Sequence, residues 1–158
     1  MTTIACNLRE IAADSHVTLE GVGKDSFKGE KLYVANGGIY GVSGEHCDGY
    51  IHAIEWLRNG AHPTNRPEPP KKSDWVLIEL SEFGIATYNT LLERDPCYEP
   101  FMAIGSGRKV AMYCMKYLKL SPADAVREAC RVDAWSKPPI FVANLRDLDV
   151  RRYAKKSK

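Results

Sequence analysis

The first part of the chain carries short runs of hydrophobic positions that predict antiparallel strands. Residues 4–9 alternate between apolar and other side chains, which predicts a strand with one buried face. The apolar run at 11–13 predicts the second strand of a hairpin, with its turn at 7–10. Residues 17–19 predict a third extended segment, and the glycines within 20–29 predict a loop.

A second hairpin and a helix follow. Residues 31–34 and 39–43 predict two strands, joined by an Asn-Gly-Gly turn at 36–38 that supplies positive φ angles. Apolar positions spaced by three and four residues predict a helix over 48–58, with a glycine stop just after it. Its predicted buried stripe is Tyr50, Ile51, Ile54 and Leu57. Residues 61–74 contain four prolines and no apolar periodicity, so they predict a stiff exposed loop.

The second part of the chain begins with strands. Residues 75–80 and 85–88 predict a hairpin, the two prolines within 95–100 predict a loop, and 101–104 predict a short strand. A last strand is predicted at 140–142, after a Pro-Pro pair that cannot lie inside a central strand.

Two helices are predicted between these strands. The first starts near Gly107, and the second starts at Ser121, where Ser, Pro and Asp occupy favourable first-turn positions. Their predicted buried positions are Val110, Ala111, Cys114, Tyr117 and Leu118, then Ala125, Val126, Ala129, Cys130 and Val132. Residues 151–158 form a basic tail, which we interpret as a solvated chain end; electrostatic docking to a partner is the alternative.

This order of elements predicts an α+β fold. Hairpins dominate and the helices are grouped, which argues against a doubly wound sheet. Residues 1–158 suit a single domain with a real core.

Composition narrows the function classes. A net charge of +2 gives no case for nucleic acid or membrane binding, and no apolar run approaches the ~20 residues of a membrane span. The N-terminus lacks the pattern of a secretory signal. The five cysteines include no CxxC pair, so we interpret them as reduced thiols in a cytoplasmic protein.

The first residues offer candidate chemistry. If Met1 is removed, the chain begins with Thr2, which carries a hydroxyl nucleophile and, in its own α-amine, a base with a pKa near ~8. Taken alone this is a weak signal, because Thr after Met is common.

Six segments in order along the chain strengthen it. They are Thr2-Thr3-Ile4, Ala12-Ala13-Asp14 followed by Val17-Thr18, Gly29-Glu30-Lys31-Leu32, Gly41-Val42-Ser43-Gly44 followed by Asp48, Ala103-Ile104-Gly105-Ser106-Gly107, and Asp133-Ala134-Trp135-Ser136. In order and approximate spacing they resemble the motifs of proteasome β-type subunits, closest to the HslV peptidase of bacteria, within the N-terminal-nucleophile (Ntn) hydrolases. The resemblance implies a four-layer αββα sandwich, with two antiparallel sheets between helical layers.

The resemblance also implies a threonine-type endopeptidase. Thr2 Oγ would attack the scissile carbonyl, and the Thr2 amine would shuttle the proton. Lys31 would lower the pKa of both groups, and Asp14 would pair with Lys31 and hold it in place.

Further positions are implied around this centre. The Gly44 N–H would face the developing oxyanion, and Ser106, with Asp133 and Ser136 behind it, would surround the amine. Thr18 would lie on a strand that aligns the substrate by main-chain pairing. The implied substrate-binding positions are Val17, Thr18, Gly41 and Glu45.

Three of these residues also have a plain alternative. Lys31 could be a surface strand residue, Asp14 a turn residue and Ser106 a helix cap. A cluster of His46, Cys47, Asp48 and His52 matches no standard zinc spacing. The chain has neither a Walker loop nor a Gly-x-Ser-x-Gly elbow.

The resemblance implies polypeptide substrates, a homo-oligomer and an AAA+ unfoldase as partner, and no cofactor or metal. The chain departs from the family in a shorter first hairpin and in the loop at 61–74, which replaces a second long helix that helps to build the family's ring. The alternative function is therefore a catalytically silent Ntn-fold protein that serves assembly or interaction.

Overall fold

The structure is a computed structural model that describes residues 2–18, 26–28, 30–44, 48–69 and 74–154. In chain order its strands are β1 (Thr3–Asn7), β2 (Glu10–Asp14), β3 (His16–Thr18), β4 (Ser26–Lys28), β5 (Leu32–Ala35), β6 (Gly38–Gly44), β7 (Trp75–Ser81), β8 (Gly84–Tyr88), β9 (Arg94–Cys97), β10 (Phe101–Gly105), β11 (Ile140–Asn144) and β12 (Arg151–Arg152). The helices are α1 (Asp48–Arg58), α2 (Arg108–Tyr117) and α3 (Pro122–Val132), with a short 3-10 turn at Pro63–Asn65.

The strands form two five-stranded antiparallel sheets. The first has the order β10-β1-β2-β11-β12 and the second β5-β6-β7-β8-β9, while β3 and β4 pair separately. β1 is therefore a central strand, and Ile4 on it lies opposite Ile104 on one side and Ala13 on the other.

The two sheets pack face to face around an aliphatic core. Ile4 and Ile11 of the first sheet meet Ile39, Ile78 and Leu80 of the second, and all five are fully buried. This interface is the middle of the molecule, and it holds β1 against the second sheet.

Helices cover the two outer faces. On the second sheet, Ala53, Ile54 and Leu57 of α1 pack against residues of β6 and β7. On the first sheet, α2 and α3 pack over β1, β2 and β10, with Ala111 and Val126 among the buried contacts. The layers are therefore helix, sheet, sheet and helices, which confirms the α+β sandwich that the resemblance implies.

Several local predictions are confirmed. The turn between β5 and β6 has positive φ at Asn36 and Gly37, as the hairpin requires. α1 has the predicted bounds. Ser121 caps α3, where its Oγ accepts the Asp124 N–H at 3.1 Å.

Three strands lie outside the predictions. β4 lies within the predicted loop 20–29, β9 overlaps the predicted loop 95–100 and β12 lies within the predicted tail. β9 and β12 are edge strands, where Pro96 and arginine side chains are tolerated.

The predicted burial is wrong at several positions. β1 is buried on both faces, not one, because helices cover the side of its sheet that faces away from the core. Side chains predicted to be buried but exposed are Ile51, Tyr117, Leu118 and Val132. Ala53 and Met115 take inward positions instead, at the helical spacings that the packing selects.

Among the described residues, no helix has the length and apolar character to cross a membrane. Within the described parts of 61–74, the structure has only the 3-10 turn at Pro63–Asn65 and otherwise no helix.

Candidate active site

Thr2 lies directly before β1 and beside the Gly105-Ser106 segment at the end of β10. Thr2 is only 4% exposed, and its carbonyl accepts a hydrogen bond from the Ser106 N–H at 2.8 Å. The next residue, Thr3, pairs with Gly105 on β10 and is fully buried. Met1 lies outside the described residues.

Gly105 allows this close approach. Its φ is +91°, and a Cβ at this position would lie 1.9 Å from the Thr2 carbonyl oxygen. Gly107 likewise makes room for Thr3, because a Cβ there would lie 2.1 Å from Thr3 Oγ1. Glycine is therefore required at both positions of the Gly105-Ser106-Gly107 segment, because a side chain would collide with Thr2 or Thr3.

Asp14 receives four hydrogen bonds from the surrounding elements. Its Oδ1 accepts from the Thr3 N–H at 2.8 Å and from Lys31 Nζ at 2.9 Å. Its Oδ2 accepts from the His16 N–H at 3.0 Å and from the Lys137 N–H at 3.2 Å. The carboxylate is thus fixed in place by β1, β3, the segment before β5 and the segment before β11.

Lys31 is also fixed by hydrogen bonds. Its ammonium donates to Asp14 and, at 2.6 Å, to the carbonyl of His16, and the residue is 6% exposed. Burial lowers the pKa of Lys31, and attraction and hydrogen bonding to Asp14 oppose that shift. Because Lys31 and the Thr3 N–H share one oxygen, the cation lies beside the first peptide bonds of the chain.

Ser106, Asp133 and Ser136 form a second polar cluster on the other side. Asp133 Oδ2 accepts from Ser106 Oγ at 2.7 Å and from Ser136 Oγ at 2.5 Å. Ser106 Oγ also lies 3.3 Å from the Thr2 carbonyl oxygen, and Ser136 Oγ lies 2.6 Å from Thr3 Oγ1. Ser106 is not the cap of α2, since the N-cap residue is Gly107 and makes no side-chain capping bond.

The structure therefore brings together most of the residues singled out in the sequence. Asp14, Lys31, Ser106, Asp133 and Ser136 all lie in the two clusters that contact the Thr2–Thr3 segment.

The predicted substrate-binding positions are less concentrated. Val17 and Thr18 lie on β3, just past Asp14 and His16. Gly41 is buried between the sheets, where a Cβ would lie 3.0 Å from Ile4 and Ile78, so it belongs to the core packing rather than to the clusters. Glu45 lies outside the described residues.

Gly44 ends β6 in an exposed position. Its φ is +129°, and a Cβ there would lie 2.3 Å from the Asp74 carbonyl oxygen, so a side chain is excluded. The structure places this glycine at the end of a strand that packs against β1, and its role toward an oxyanion stays a prediction.

Sequence reasoning missed three contributors. Thr3 joins the two clusters, while His16 and Lys137 act only through backbone atoms. Any residue type can make a main-chain contact, so the sequence could not indicate His16 or Lys137. Only Thr3, a hydroxyl residue beside Thr2, could have been recognised from its residue type.

Cys130 does not offer a competing nucleophile. Burial, with the nearby Asp14 carboxylate, raises the pKa of its thiol to about 12, so the thiol stays protonated near neutral pH. The structure also groups no three metal-ligating side chains among the described residues; His46 and Cys47 of the sequence cluster lie outside them.

Comparison with solved structures identifies the fold. HslV from Trypanosoma brucei superposes with a TM-score of 0.69 at 20% identity, over 90% of this chain and 98% of that chain. BPH from Thiobacillus denitrificans gives 0.61 at 17% identity, over 92% of this chain and 98% of that chain. The chain has an HslV-like fold. No protein-family model and no curated protein matches its sequence.

A third solved structure similar to this chain contains a ligand. BPH from Thiobacillus denitrificans in complex with epoxomicin gives a TM-score of 0.60 at 16% identity, over 91% of this chain and 98% of that chain.

Proposed function

We propose that this chain is a threonine-type endopeptidase whose nucleophile is Thr2, made N-terminal by removal of Met1. The observation that carries the proposal is the arrangement around Thr2 and Thr3. A buried Lys31–Asp14 pair holds the Thr3 N–H, and the Ser106–Asp133 pair contacts the Thr2 carbonyl. A protein built only for assembly has no need of two polar clusters at its chain start, one of them a buried ion pair.

In the first chemical step, Thr2 Oγ attacks the carbonyl carbon of the substrate peptide bond. The hydroxyl proton passes to the Thr2 α-amine, directly or through a water, and then to the leaving amine as the C–N bond breaks. The product is an ester between Thr2 and the acyl part of the substrate. In the second step, water attacks this ester, its proton returns through the amine to Thr2 Oγ, and a carboxylic acid leaves.

Lys31 supports this chemistry electrostatically. Its ammonium, fixed by Asp14 and by the His16 carbonyl, favours the alkoxide form of a nearby hydroxyl and the neutral form of a nearby amine. Both effects make the attacking group more reactive near neutral pH.

Ser106 supplies an acceptor for the amine. A serine hydroxyl has one proton, and the shorter contact, 2.7 Å to Asp133, is the one that takes it. The lone pairs of Ser106 Oγ are then available to accept an N–H of the Thr2 amine. The Ser106 N–H donates to the Thr2 carbonyl, and this bond keeps the two residues side by side.

We further propose that the backbone N–H of Gly44 stabilises the oxyanion and so lowers the activation free energy by ~3 kcal/mol. The substrate would pair along β3 near Val17 and Thr18.

The proposed substrate is a polypeptide, and the proposed setting is a homo-oligomer in the cytoplasm that works with an AAA+ unfoldase. The described part of 61–74 contains no α-helix that could serve ring contacts. A monomer in a sizing experiment would contradict the proposed oligomer but not the proposed mechanism of hydrolysis.

The second candidate is a catalytically silent protein of this fold that serves assembly or interaction. The short 3-10 turn in place of a long helix favours it, because a different surface there suits a different partner.

Hydrolysis of fluorogenic peptides by three proteins tests the proposal. We expect the wild type to hydrolyse some member of a diverse peptide set, Thr2→Ser to retain part of that activity and Thr2→Ala to lose at least ~1000-fold, because only Thr2→Ala removes the nucleophile. Equal hydrolysis by wild type and Thr2→Ala would rule out Thr2, and an inactive wild type would favour the silent alternative.

A further inference from the structure

Thr3 is hydrogen bonded to both polar clusters. Its N–H donates to Asp14 Oδ1 at 2.8 Å, and its Oγ1 lies 2.6 Å from Ser136 Oγ. The residue has no exposed surface, and Gly107 leaves room for its hydroxyl. A buried hydroxyl is costly unless it is hydrogen bonded, so this contact has a clear energetic reason.

The proton positions in this chain of contacts follow from counting donors. Asp133 Oδ2 belongs to a carboxylate, which only accepts, so Ser136 donates its single proton to it at 2.5 Å. Ser136 must then accept from Thr3, and Thr3 Oγ1 is the donor. The order is Thr3 to Ser136 to Asp133, and Ser106 donates to the same carboxylate oxygen from the other side.

Thr3 therefore lies where the two clusters are coupled. Asp14 of one cluster fixes the position of the Thr3 backbone, and Ser136 of the other fixes the Thr3 side chain. Thr2 is covalently bonded to Thr3. Small rotations of Thr3 would change the direction of the Thr2 hydroxyl and amine, and a misplacement of 1 Å can cost ~100-fold in rate.

We propose that Thr3 is a positioning residue that, through Ser136 and Asp14, fixes the orientation of the Thr2 nucleophile. This inference rests on the proposed function, since it gives a role to a residue beside the proposed nucleophile. It goes further because it assigns a requirement for a hydroxyl at the second residue of the processed chain.

The test is the steady-state kinetics of Thr3→Val and Thr3→Ser on the best peptide substrate. Valine keeps the shape but removes the donor, so we expect kcat to fall ~5- to 30-fold with KM within ~2-fold of wild type, as for one hydrogen bond lost. Thr3→Ser keeps the donor and should restore kcat to within ~3-fold of wild type. Intact mass should show Met1 removed in every variant.

Two further single variants and one double variant separate positioning from general stability. Thr87→Val makes the same change on β8, away from both clusters, and should leave kcat unchanged. Ser136→Ala removes the acceptor of the Thr3 proton, and the double variant with Thr3→Val should be no slower than the slower single variant, because both changes break one chain of contacts. If Thr3→Val does not fold, Ser136→Ala decides instead. We expect its kcat to fall, and a kcat equal to that of wild type would overturn the inference.

The inference is overturned if Thr3→Val retains wild-type kcat, if Thr3→Ser is as slow as Thr3→Val, or if Thr3→Val and Ser136→Ala act additively. Any of these results leaves the proposed function standing when the wild type is active. A wild type that neither hydrolyses peptides nor reacts with epoxomicin overturns the proposed function and this inference together.

Discussion

Asp14 and Lys31 are both nearly inaccessible to solvent, with exposed side-chain fractions of 0% and 6%. Burial of two charges is costly, and it is tolerated here because Asp14 accepts four hydrogen bonds and Lys31 also bonds the His16 carbonyl. The pair therefore depends on every partner being present, and the loss of one charge leaves the other uncompensated.

We predict that Asp14→Asn destabilises the fold by ~3–5 kcal/mol at pH 7, because it leaves the Lys31 ammonium buried without a counter-charge. Lys31→Met should have a similar cost, and the double variant should cost less than the two single costs added together. Urea unfolding measures all three free energies; fully additive costs would contradict this account of the pair.

The cost of Asp14→Asn should also depend on pH. Burial already lowers the pKa of Lys31, and Asp14 is what opposes that shift, so the pKa falls further in the variant. A lysine with a lowered pKa binds fewer protons in the folded state than in the unfolded state up to about pH 10.4, so stability rises with pH in that window. The deficit against wild type should therefore shrink between pH 7 and pH 9.5.

At this scale the sequence predicts which side chains meet, but not how. Asp14, Lys31, Ser106, Asp133 and Ser136 were named through a family resemblance, and the structure groups them. Their backbone partners could not be named, because any residue type supplies an N–H or a carbonyl.

The β1–β10 pair is the element that holds the chain start. Thr3 pairs with Gly105, and the Thr2 carbonyl fits against a glycine with positive φ whose missing side chain provides the space. Gly84 gives a matched comparison: its φ is +103°, but a Cβ there would have nothing within 4 Å.

We predict that Gly105→Ala lowers peptidase activity at least ~100-fold, because the added methyl group must push Thr2 out of place. Gly84→Ala should keep activity and lose only the ~1–2 kcal/mol that a left-handed conformation costs a residue with a Cβ. Hydrolysis rates and urea midpoints of the two variants test this; equal losses of activity would mean that contact with Thr2 is unimportant.

Element prediction succeeds where periodicity is strong and weakens at edges. α1 is predicted at its observed bounds because its apolar stripe repeats. β9 is missed because Asp95 and Pro96 read as a turn, although an edge strand needs no donor on its open side. Tyr117 and Leu118 were predicted to be buried from spacing alone, but α2 lies in an outer layer where one face stays open.

The four layers explain why the site lies where it does. β1 is central in its sheet, covered by helices on one face and by the second sheet on the other, so a residue just before it can be buried and held from several sides. The layer order followed from the resemblance and from grouped helices. The pairing of β3 with β4 did not follow, because the short strand within a glycine-rich segment carries little apolar signal.

The central claim is that Thr2, with a free α-amine, is the nucleophile. The most direct measurement is the intact mass of the purified wild-type protein before and after incubation with epoxomicin, followed by peptide mapping. An epoxyketone can take up both groups, since the hydroxyl adds to the ketone and the amine opens the epoxide, with no atoms lost. We predict a chain without Met1 that gains the mass of one inhibitor, located on Thr2, and no gain in Thr2→Ala. A chain that keeps Met1 and stays unmodified, or one modified at another residue, would contradict the claim.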